Sequence, residues 1–139
     1  MSTLDAKQLE NAHAFLKHLN AMDWVSLGDL LAPEFKHQCF PATVVVPDGR
    51  QTRSKEEYIE GILQGGLTNY FKTFRFSEPM DVIHGSNKVA FHVKSVGVFK
   101  SGDSYENEYM LTFHFDGEKV VRLNEFVDSK YTAGFFPTA

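Results

Sequence analysis

Glu125 is the residue whose position most directly suggests chemistry. One face of the predicted strand Lys119–Val127 carries Val121, Leu123, Glu125 and Val127. A carboxylate that faces an apolar interior is unfavourable unless it is paired or protonated. That environment tunes a carboxyl group for general acid or base catalysis. The alternative interpretation is a glutamate at a strand end that reaches water or caps a backbone amine.

His37 and Cys39 share one face of a second predicted strand, Phe35–Phe40. His37 can exchange a proton with Glu125 or orient a substrate oxygen, unless it is a core histidine bonded to the backbone. Cys39 is either a small buried filler or a nucleophile. The three side chains also mimic a metal-ligand set. Because no further nitrogen or sulfur ligand lies at a recognisable spacing, we expect no metal and no cofactor.

Four further residues are candidates for contacting a substrate. Tyr58 and Tyr109 lie on apolar faces, and either hydroxyl can donate a hydrogen bond to a carbonyl or enolate oxygen, or simply sit at the rim of the core. Trp24 either closes the mouth of the pocket or anchors a short helix. Asp128 reads as a helix N-cap. Its position just after Glu125 also makes it a second carboxylate candidate.

Strand alternation places additional residues toward the same cavity. On this basis we expect the lining to include Phe91, Ser95, Phe113 and Leu123. The same alternation turns His92 and His114 to the opposite face of the sheet, where we expect them in a dimer contact. A β-bulge would reverse this assignment.

The elements that position these residues follow from capping and turn signals. Helices are predicted from Asp5 with Gln8, from Asp23 before Trp24–Leu31, and from Ser54 with Glu57. Gly65-Gly66 is predicted to end the third helix. Thr43–Val46 extends the first strand, and Pro47-Asp48-Gly49 forms a turn.

The second half of the chain changes to a period of two. Strands are predicted at Phe71–Ser77, Met80–His84, Lys88–Lys100, Glu106–Asp116 and Lys119–Val127. Asp116-Gly117 is the strongest hairpin signal. The predicted fold class is therefore α+β: a cone-shaped, curved antiparallel or mixed sheet wrapped on about three N-terminal helices, with a central pocket.

Composition limits the partners. A chain of 139 residues suits one domain, 1–139, and a net charge of -4 makes nucleic acid a poor partner. The one dense basic stretch, Arg50–Lys55, is predicted to be a solvated turn before a helix. A single cysteine fits a reducing, cytoplasmic location. No apolar run approaches membrane-spanning length. The 13 phenylalanines can line a pocket for a small hydrophobic molecule.

The order of helices, the fragment Asp116–Arg122 and the ending Asn124–Asp128 resemble the SnoaL-like group of the nuclear-transport-factor-two-like superfamily, and most closely its small fungal members. The resemblance covers nearly the whole chain. It implies an α+β cone, usually a homodimer, with a deep pocket. Members include polyketide cyclases, isomerases, dehydratases and epoxide hydrolases, but also non-enzymatic binding domains, so the fold alone does not give the activity.

Similarity to limonene epoxide hydrolase within that group implies roles for particular residues. Its last strand carries the water-activating acid, and the matching run Asn124–Asp128 places Glu125 at that position. Its water-holding residues match His37 and Cys39. Its arginine–aspartate pair falls on Val93 and Ser95, which argues against epoxide hydrolysis.

Together these features predict a cofactor-independent lyase or isomerase for a small, oxygenated, hydrophobic metabolite such as a polyketide or terpenoid. Glu125 would move the proton with help from His37, and Tyr58 or Tyr109 would stabilise negative charge on oxygen. The alternatives are a non-catalytic ligand-binding protein and a dimerisation domain.

Overall fold

The computed structural model describes residues 2–44, 46 and 48–136. Its helices are α1 (Thr3–Asn20), α2 (Trp24–Asp29), a π-helix (Glu57–Gly66), α3 (Leu67–Tyr70) and α4 (Ser129–Phe135). Within these described residues, no helix combines the length and the apolar character that crossing a membrane requires.

The strands form one curled, mixed sheet. They are β1 (Leu31–Phe40), β2 (Thr52–Ser54), β3 (Phe71–Phe76), β4 (Asp81–Gly85), β5 (Lys88–Phe99), β6 (Ser104–Tyr105), β7 (Glu108–Asp116) and β8 (Lys119–Val127). The main order is β2-β1-β8-β7-β5-β3, and β4 and β6 both pair with β5. β1 and β8 run parallel, whereas β7 and β8 form the predicted antiparallel hairpin. The α+β prediction is confirmed.

The start of α1 is fixed to the turns of the sheet. Ser2 Oγ accepts a hydrogen bond from the Asp5 amide at 3.0 Å, and the Asp5 carboxylate accepts from the Ser2 amide at 3.3 Å. Asp5 is thus the reciprocal partner rather than the predicted cap. Gln8 is buried instead, and its side-chain amide donates to Asn87 Oδ1 at 2.9 Å and to the Gly117 carbonyl at 2.8 Å.

Beneath α1 the inner face of the sheet is solid core. Phe113 packs edge-on against Phe15 at a centroid separation of 5.1 Å and against Phe91 at 5.6 Å. His13 lies 4.8 Å from the Phe91 ring, and Leu123 is fully buried beside them. Because α1 fills this part of the cone, a cavity can form only beyond it.

The two faces of the sheet follow the predicted alternation, with one exception. Odd-numbered residues of β5 and β7 are buried, apart from the half-buried Phe99 at the end of β5, and His92 and His114 lie on the other face. In β8, a register shift between the His114 and Phe115 pairings inserts an extra residue. Val120 is therefore fully buried and Val121 only half-buried, the reverse of the prediction. After the bulge the predicted alternation resumes.

The helix after β2 begins as predicted but ends later. The Ser54 and Glu57 side chains each accept a hydrogen bond from the other residue's amide, at 3.2 and 3.0 Å. Gly65-Gly66 does not stop the helix, which continues through α3 to Tyr70. A Cβ atom on Gly65 would lie 2.8 Å from the Glu60 carbonyl oxygen, so the wide π-turn requires glycine there.

Other predicted boundaries also move. β1 begins at Leu31, four residues before the predicted start at Phe35, and it includes Pro33. Thr43 and Val44 do not extend it as a strand. Val45 of that predicted extension and Pro47 of the predicted turn lie outside the described residues.

Candidate functional site

A cavity of about 270 Å³ lies between the inner face of the sheet and the π-helix. Its aromatic walls are formed by Tyr70, Phe71, Phe74, Phe76, Tyr105 and Phe136. Phe76 stands edge-on to Tyr109 at a centroid separation of 5.1 Å. A volume near the lower end of the range for ligand pockets suits one small, largely apolar molecule.

Glu125 and His37 reach this cavity from adjacent parallel strands, β8 and β1. The register places Cys39 beside Glu125 and His37 beside Leu123, so all four side chains share the inner face. Glu125 Oε1 lies 3.1 Å from His37 Nε2. The His37 side chain is 1% exposed and that of Glu125 is 21% exposed. Glu125 is thus partly desolvated but still reachable from the cavity.

A second histidine–glutamate pair on the outer face shows what burial adds. His92 Nε2 and Glu108 Oε2 are also 3.1 Å apart, but their side chains are 36% and 56% exposed. Water screens such a surface pair, which leaves it with little energetic consequence. The His37–Glu125 contact has the same length but is much stronger, because the dielectric constant around the cavity is lower.

Arg53 is a major component of the site that the sequence prediction missed. The sequence predicts the Arg50–Lys55 stretch to be a solvated turn, but the Arg53 side chain is 1% exposed. β2 pairs antiparallel with β1 and sets Arg53 opposite His37, which turns the guanidinium inward. Arg53 Nη1 lies 3.3 Å from His37 Nδ1 and 3.5 Å from Cys39 Sγ.

Asp48 makes the burial of this arginine possible. Arg53 Nε donates to Asp48 Oδ2 at 2.9 Å, and Arg53 Nη2 donates to Asp48 Oδ1. This bidentate pairing is the strongest and most specific geometry in which a guanidinium binds a carboxylate. Burial alone would raise the pKa of Asp48, but hydrogen bonds from Arg53 and from the Arg50 amide outweigh it and lower that pKa. A buried charge is thereby matched by an opposite one.

Tyr58 and Tyr109 both lie in the cavity lining. Burial raises the pKa of each phenol well above its ordinary value, so both hydroxyls remain protonated and can donate hydrogen bonds. The Tyr109 hydroxyl donates to Ser95 Oγ at 3.2 Å, and the same Ser95 oxygen accepts from the Asn107 amide at 2.9 Å. The predicted substrate contact Ser95 is fully buried and does not line the cavity; its contact is with Tyr109.

Cys39 lines the cavity as a thiol rather than a thiolate. Burial, followed by the nearby charge of Glu125, raises the pKa of Cys39 to about 12. Because the thiolate is the nucleophilic form, this environment suppresses nucleophilic chemistry at neutral pH. The alternative of a small buried filler accounts for Cys39 better.

A metal ion fits this cluster in distance but not in its surroundings. Ligand atoms of His37, Cys39 and Glu125 all lie within 4.8 Å of one another. A metal-bound imidazole donates its second ring N–H to an acceptor. Here the group that faces His37 Nδ1 is Arg53, whose guanidinium has only donors. The residues present therefore do not suit a bound metal.

The structure separates the remaining predicted contacts from the cavity. Phe91, Phe113 and Leu123 are fully buried in the core under α1 and do not line the cavity. The prediction was wrong because strand alternation gives the face on which a residue lies but not its position along that face. Trp24 packs against the core from the first turn of α2, which favours the anchoring role. Asp128 is exposed and caps α4 by accepting from the Tyr131 amide at 3.1 Å.

The fold and the site together define a class of protein: a small α+β cone with a histidine–glutamate pair at the wall of an aromatic cavity. Within that class, residues 12–123 match the sequence profile of the SnoaL-like domain. The chain is therefore a member of the SnoaL-like family, as the sequence indicated. No curated protein matches the sequence.

Solved structures of similar shape include three fungal proteins. The BvnE pinacolase from Penicillium brevicompactum is 22% identical, with a TM-score of 0.80 over 96% of this chain and 94% of the other. AusH from Aspergillus nidulans is 21% identical, with a TM-score of 0.72 over 94% of each chain. PrhC from Penicillium brasilianum is 16% identical, with a TM-score of 0.79 over 95% and 87%. At these identities the likeness establishes the fold.

Proposed function

We propose that this protein is a cofactor-independent isomerase or lyase that moves a proton on a small, oxygenated, hydrophobic molecule such as a polyketide or terpenoid. The observation that carries the proposal is the 3.1 Å contact between Glu125 Oε1 and the buried His37 Nε2 at the wall of an aromatic cavity. A carboxylate held in an apolar pocket is suited to proton transfer.

In this mechanism the two oxygens of Glu125 have different tasks. Oε1 is held by His37, whereas Oε2 makes no hydrogen bond within the described part of the chain. Oε2 removes a proton from the carbon next to a carbonyl group, and the bonding electrons move onto the carbonyl oxygen. The Tyr58 or Tyr109 hydroxyl donates a hydrogen bond to that oxygen as its negative charge develops.

The fate of the proton decides between the two reaction types. If the substrate has a carbon–carbon double bond conjugated with the enolate, Glu125 can return the proton to the far carbon of that system as the carbonyl re-forms, and the product is an isomer with the double bond moved. If the enolate instead expels a hydroxyl group that takes the proton, the product is an alkene plus water. The aromatic walls exclude bulk water from the enolate in both cases. One solved structure of this fold is named as an enzyme, a pinacolase, which supports a catalytic role over a carrier role.

The test compares Glu125→Gln with the wild type in two measurements. Candidate ketones are incubated with each protein in deuterium oxide, and incorporation of deuterium next to the carbonyl is followed by NMR. Binding of the same ketones is measured by calorimetry. We expect the variant to bind them but to lose exchange by about 100-fold or more, because only the proton acceptor is removed.

Glu108→Gln is the matched control, since it alters a pair of the same type and distance on the outer face. This variant should exchange deuterium at the wild-type rate. A wild-type protein that binds the ketones without catalysing exchange would contradict the proposal. It would favour the carrier alternative. That alternative is supported by the pairing of Asp48 with Arg53, which leaves Glu125 as the one carboxylate of the described lining that is not paired with an arginine.

A further inference from the structure

The contact between Arg53 and His37 has a direction that can be read from the chemistry of the two side chains. A guanidinium has five N–H donors and no acceptor, and it keeps its charge at every accessible pH. Arg53 Nη1 points at His37 Nδ1 from 3.3 Å. That ring nitrogen must therefore offer its lone pair, which leaves the ring proton on Nε2, facing Glu125 Oε1.

We propose that Arg53, held in place by Asp48, is a positioning residue that keeps His37 uncharged with its proton on Nε2, so that Glu125 acts as a base on an uncharged substrate. The proposal rests on the proposed function for the role of Glu125. The state of His37 itself is independent of any substrate.

Asp48 supplies the rigidity that this arrangement needs. It occupies Arg53 Nε and Nη2, which leaves Nη1 to face the histidine. Burial opposes the charge of Arg53, but the hydrogen bonds from its side chain to Asp48 prevail and raise the pKa of Arg53. A second proton on His37 would set an Nδ1–H donor against this permanent donor, which disfavours the charged imidazole.

Charge accounting for the cavity gives the class of substrate. The charged groups among its described lining residues are Glu125, Asp48 and Arg53, and the last two neutralise each other. With His37 neutral, the cavity carries one net negative charge on Glu125. An anionic ligand would meet that charge without an opposing free cation, so the site selects uncharged ketones over carboxylates.

The test is the protonation state of His37, read by long-range proton–nitrogen NMR on protein with nitrogen-15-labelled histidine. The groups that face His37 are Glu125 on β8, Cys39 on β1, Arg53 on β2 and Tyr58 on the π-helix. We expect one tautomer at pH 7, with a proton on Nε2 and a bare Nδ1. If the wild-type protein has a doubly protonated His37 ring, or a neutral ring with its proton on Nδ1, that result overturns the proposal without any variant.

Variants then show which neighbour sets the tautomer. Glu125→Gln should keep the proton on Nε2, because Arg53 is still present. Arg53→Met should lose the single tautomer and give a mixture. Arg50→Met is the matched control, since Arg50 is exposed and pairs with Glu57 at the surface. If Glu125→Gln moves the proton while Arg53→Met does not, Arg53 has no positioning role.

The substrate half of the proposal has its own measurement. The wild-type protein should bind a neutral methyl ketone at least about tenfold more tightly than the carboxylate of the same carbon skeleton, and Glu125→Gln should narrow that ratio. Equal or tighter binding of the carboxylate would contradict it. Because these readouts need no turnover, an inactive protein with the expected tautomer would refute the proposed function and leave the inference about Arg53 standing.

Discussion

The rings of His37 and Tyr58 stack with centroids 4.2 Å apart and planes inclined by 26°. The imidazole therefore has one face covered by an aromatic ring and both nitrogens engaged at its edges, by Arg53 and by Glu125. The ring cannot rotate without breaking one of these contacts. Tyr58 thus contributes its ring to the orientation of His37 and its hydroxyl to the cavity.

Two substitutions separate these contributions of Tyr58. Tyr58→Phe keeps the stacked ring and removes the donor, so the protein should retain its stability and lose about 100-fold in turnover if this hydroxyl stabilises the oxyanion. Tyr58→Leu also removes the stack and should lower the free energy of unfolding by about 2 kcal/mol. Urea unfolding and steady-state kinetics on both variants measure the two effects. An unchanged kcat in Tyr58→Phe would assign the oxyanion to Tyr109.

Cys39 should be chemically inert in the folded protein. Since burial raises its pKa to about 12, the thiolate is scarce at pH 8, and alkylation by iodoacetamide should be slower than in urea-unfolded protein by at least about 100-fold. Mass spectrometry at timed intervals gives both rates. Cys39→Ala should keep its activity. Rapid labelling of the native protein together with loss of activity would instead identify Cys39 as a reactive residue.

The Asp48–Arg53 pair should make stability depend on pH at the acid end. The pKa of Asp48 is lowered in the folded state, so its contribution is complete above the unfolded value of about 4 and is lost as the pH falls through the folded value. Its side chain is 36% exposed, so solvent limits the contribution to about 1 kcal/mol.

Asp48→Asn should accordingly be less stable than the wild type at pH 7 and equally stable at a pH below the folded pKa of Asp48. Urea unfolding across this range measures the difference. Asp29→Asn, at the exposed end of α2, is the control and should leave the wild-type profile unchanged. A constant gap between Asp48→Asn and the wild type at every pH would mean that Asp48 acts by packing rather than by its charge.

Local periodicity was enough to predict which side chains face the interior. The inner face carries the predicted residues His37, Cys39, Tyr109 and Glu125. Their facing could be predicted because strand alternation depends only on the local backbone and not on tertiary contacts. It failed at Val121, where the bulge in β8 added a residue. Alternation also could not show how far α1 extends over the sheet, so it assigned Phe91 and Phe113 to the cavity instead of the core.

Arg53 could not be recognised by such a pattern. β2 has three residues and no apolar neighbours that would mark an inward face. The burial of Arg53 depends on Asp48 from the preceding loop and on His37 from a different strand, which are contacts of tertiary structure. The one signal in the sequence was the position of Arg53 directly before the Ser54–Glu57 capping box. This box fixes where the helix begins and therefore the direction of the chain that leads into it.

Phe126 leads to a prediction about assembly. The sequence resemblance implied a homodimer, and we propose that its contact is the outer face of the sheet around Phe126, which is 54% exposed. Met110 and Phe40 flank it on the neighbouring strands, with His92 next along the row. An apolar centre with a polar rim can meet an identical copy across a two-fold axis.

Phe126→Ser should therefore weaken self-association. Loss of a central aromatic contact costs about 2 kcal/mol, which raises the dimer dissociation constant about 30-fold. Sedimentation equilibrium over a range of concentrations measures this constant. Val25→Ser, at a position on α2 that is 78% exposed, is the control and should associate as the wild type does. A monomeric wild type, or a dimer that Phe126→Ser leaves intact, would show that this face does not form the contact. If Phe126→Ser is monomeric, deuterium exchange by this variant would tell whether the cavity functions in a single subunit. We expect that it does, since Asp48, Arg53, His37 and Glu125 contact one another within one polypeptide.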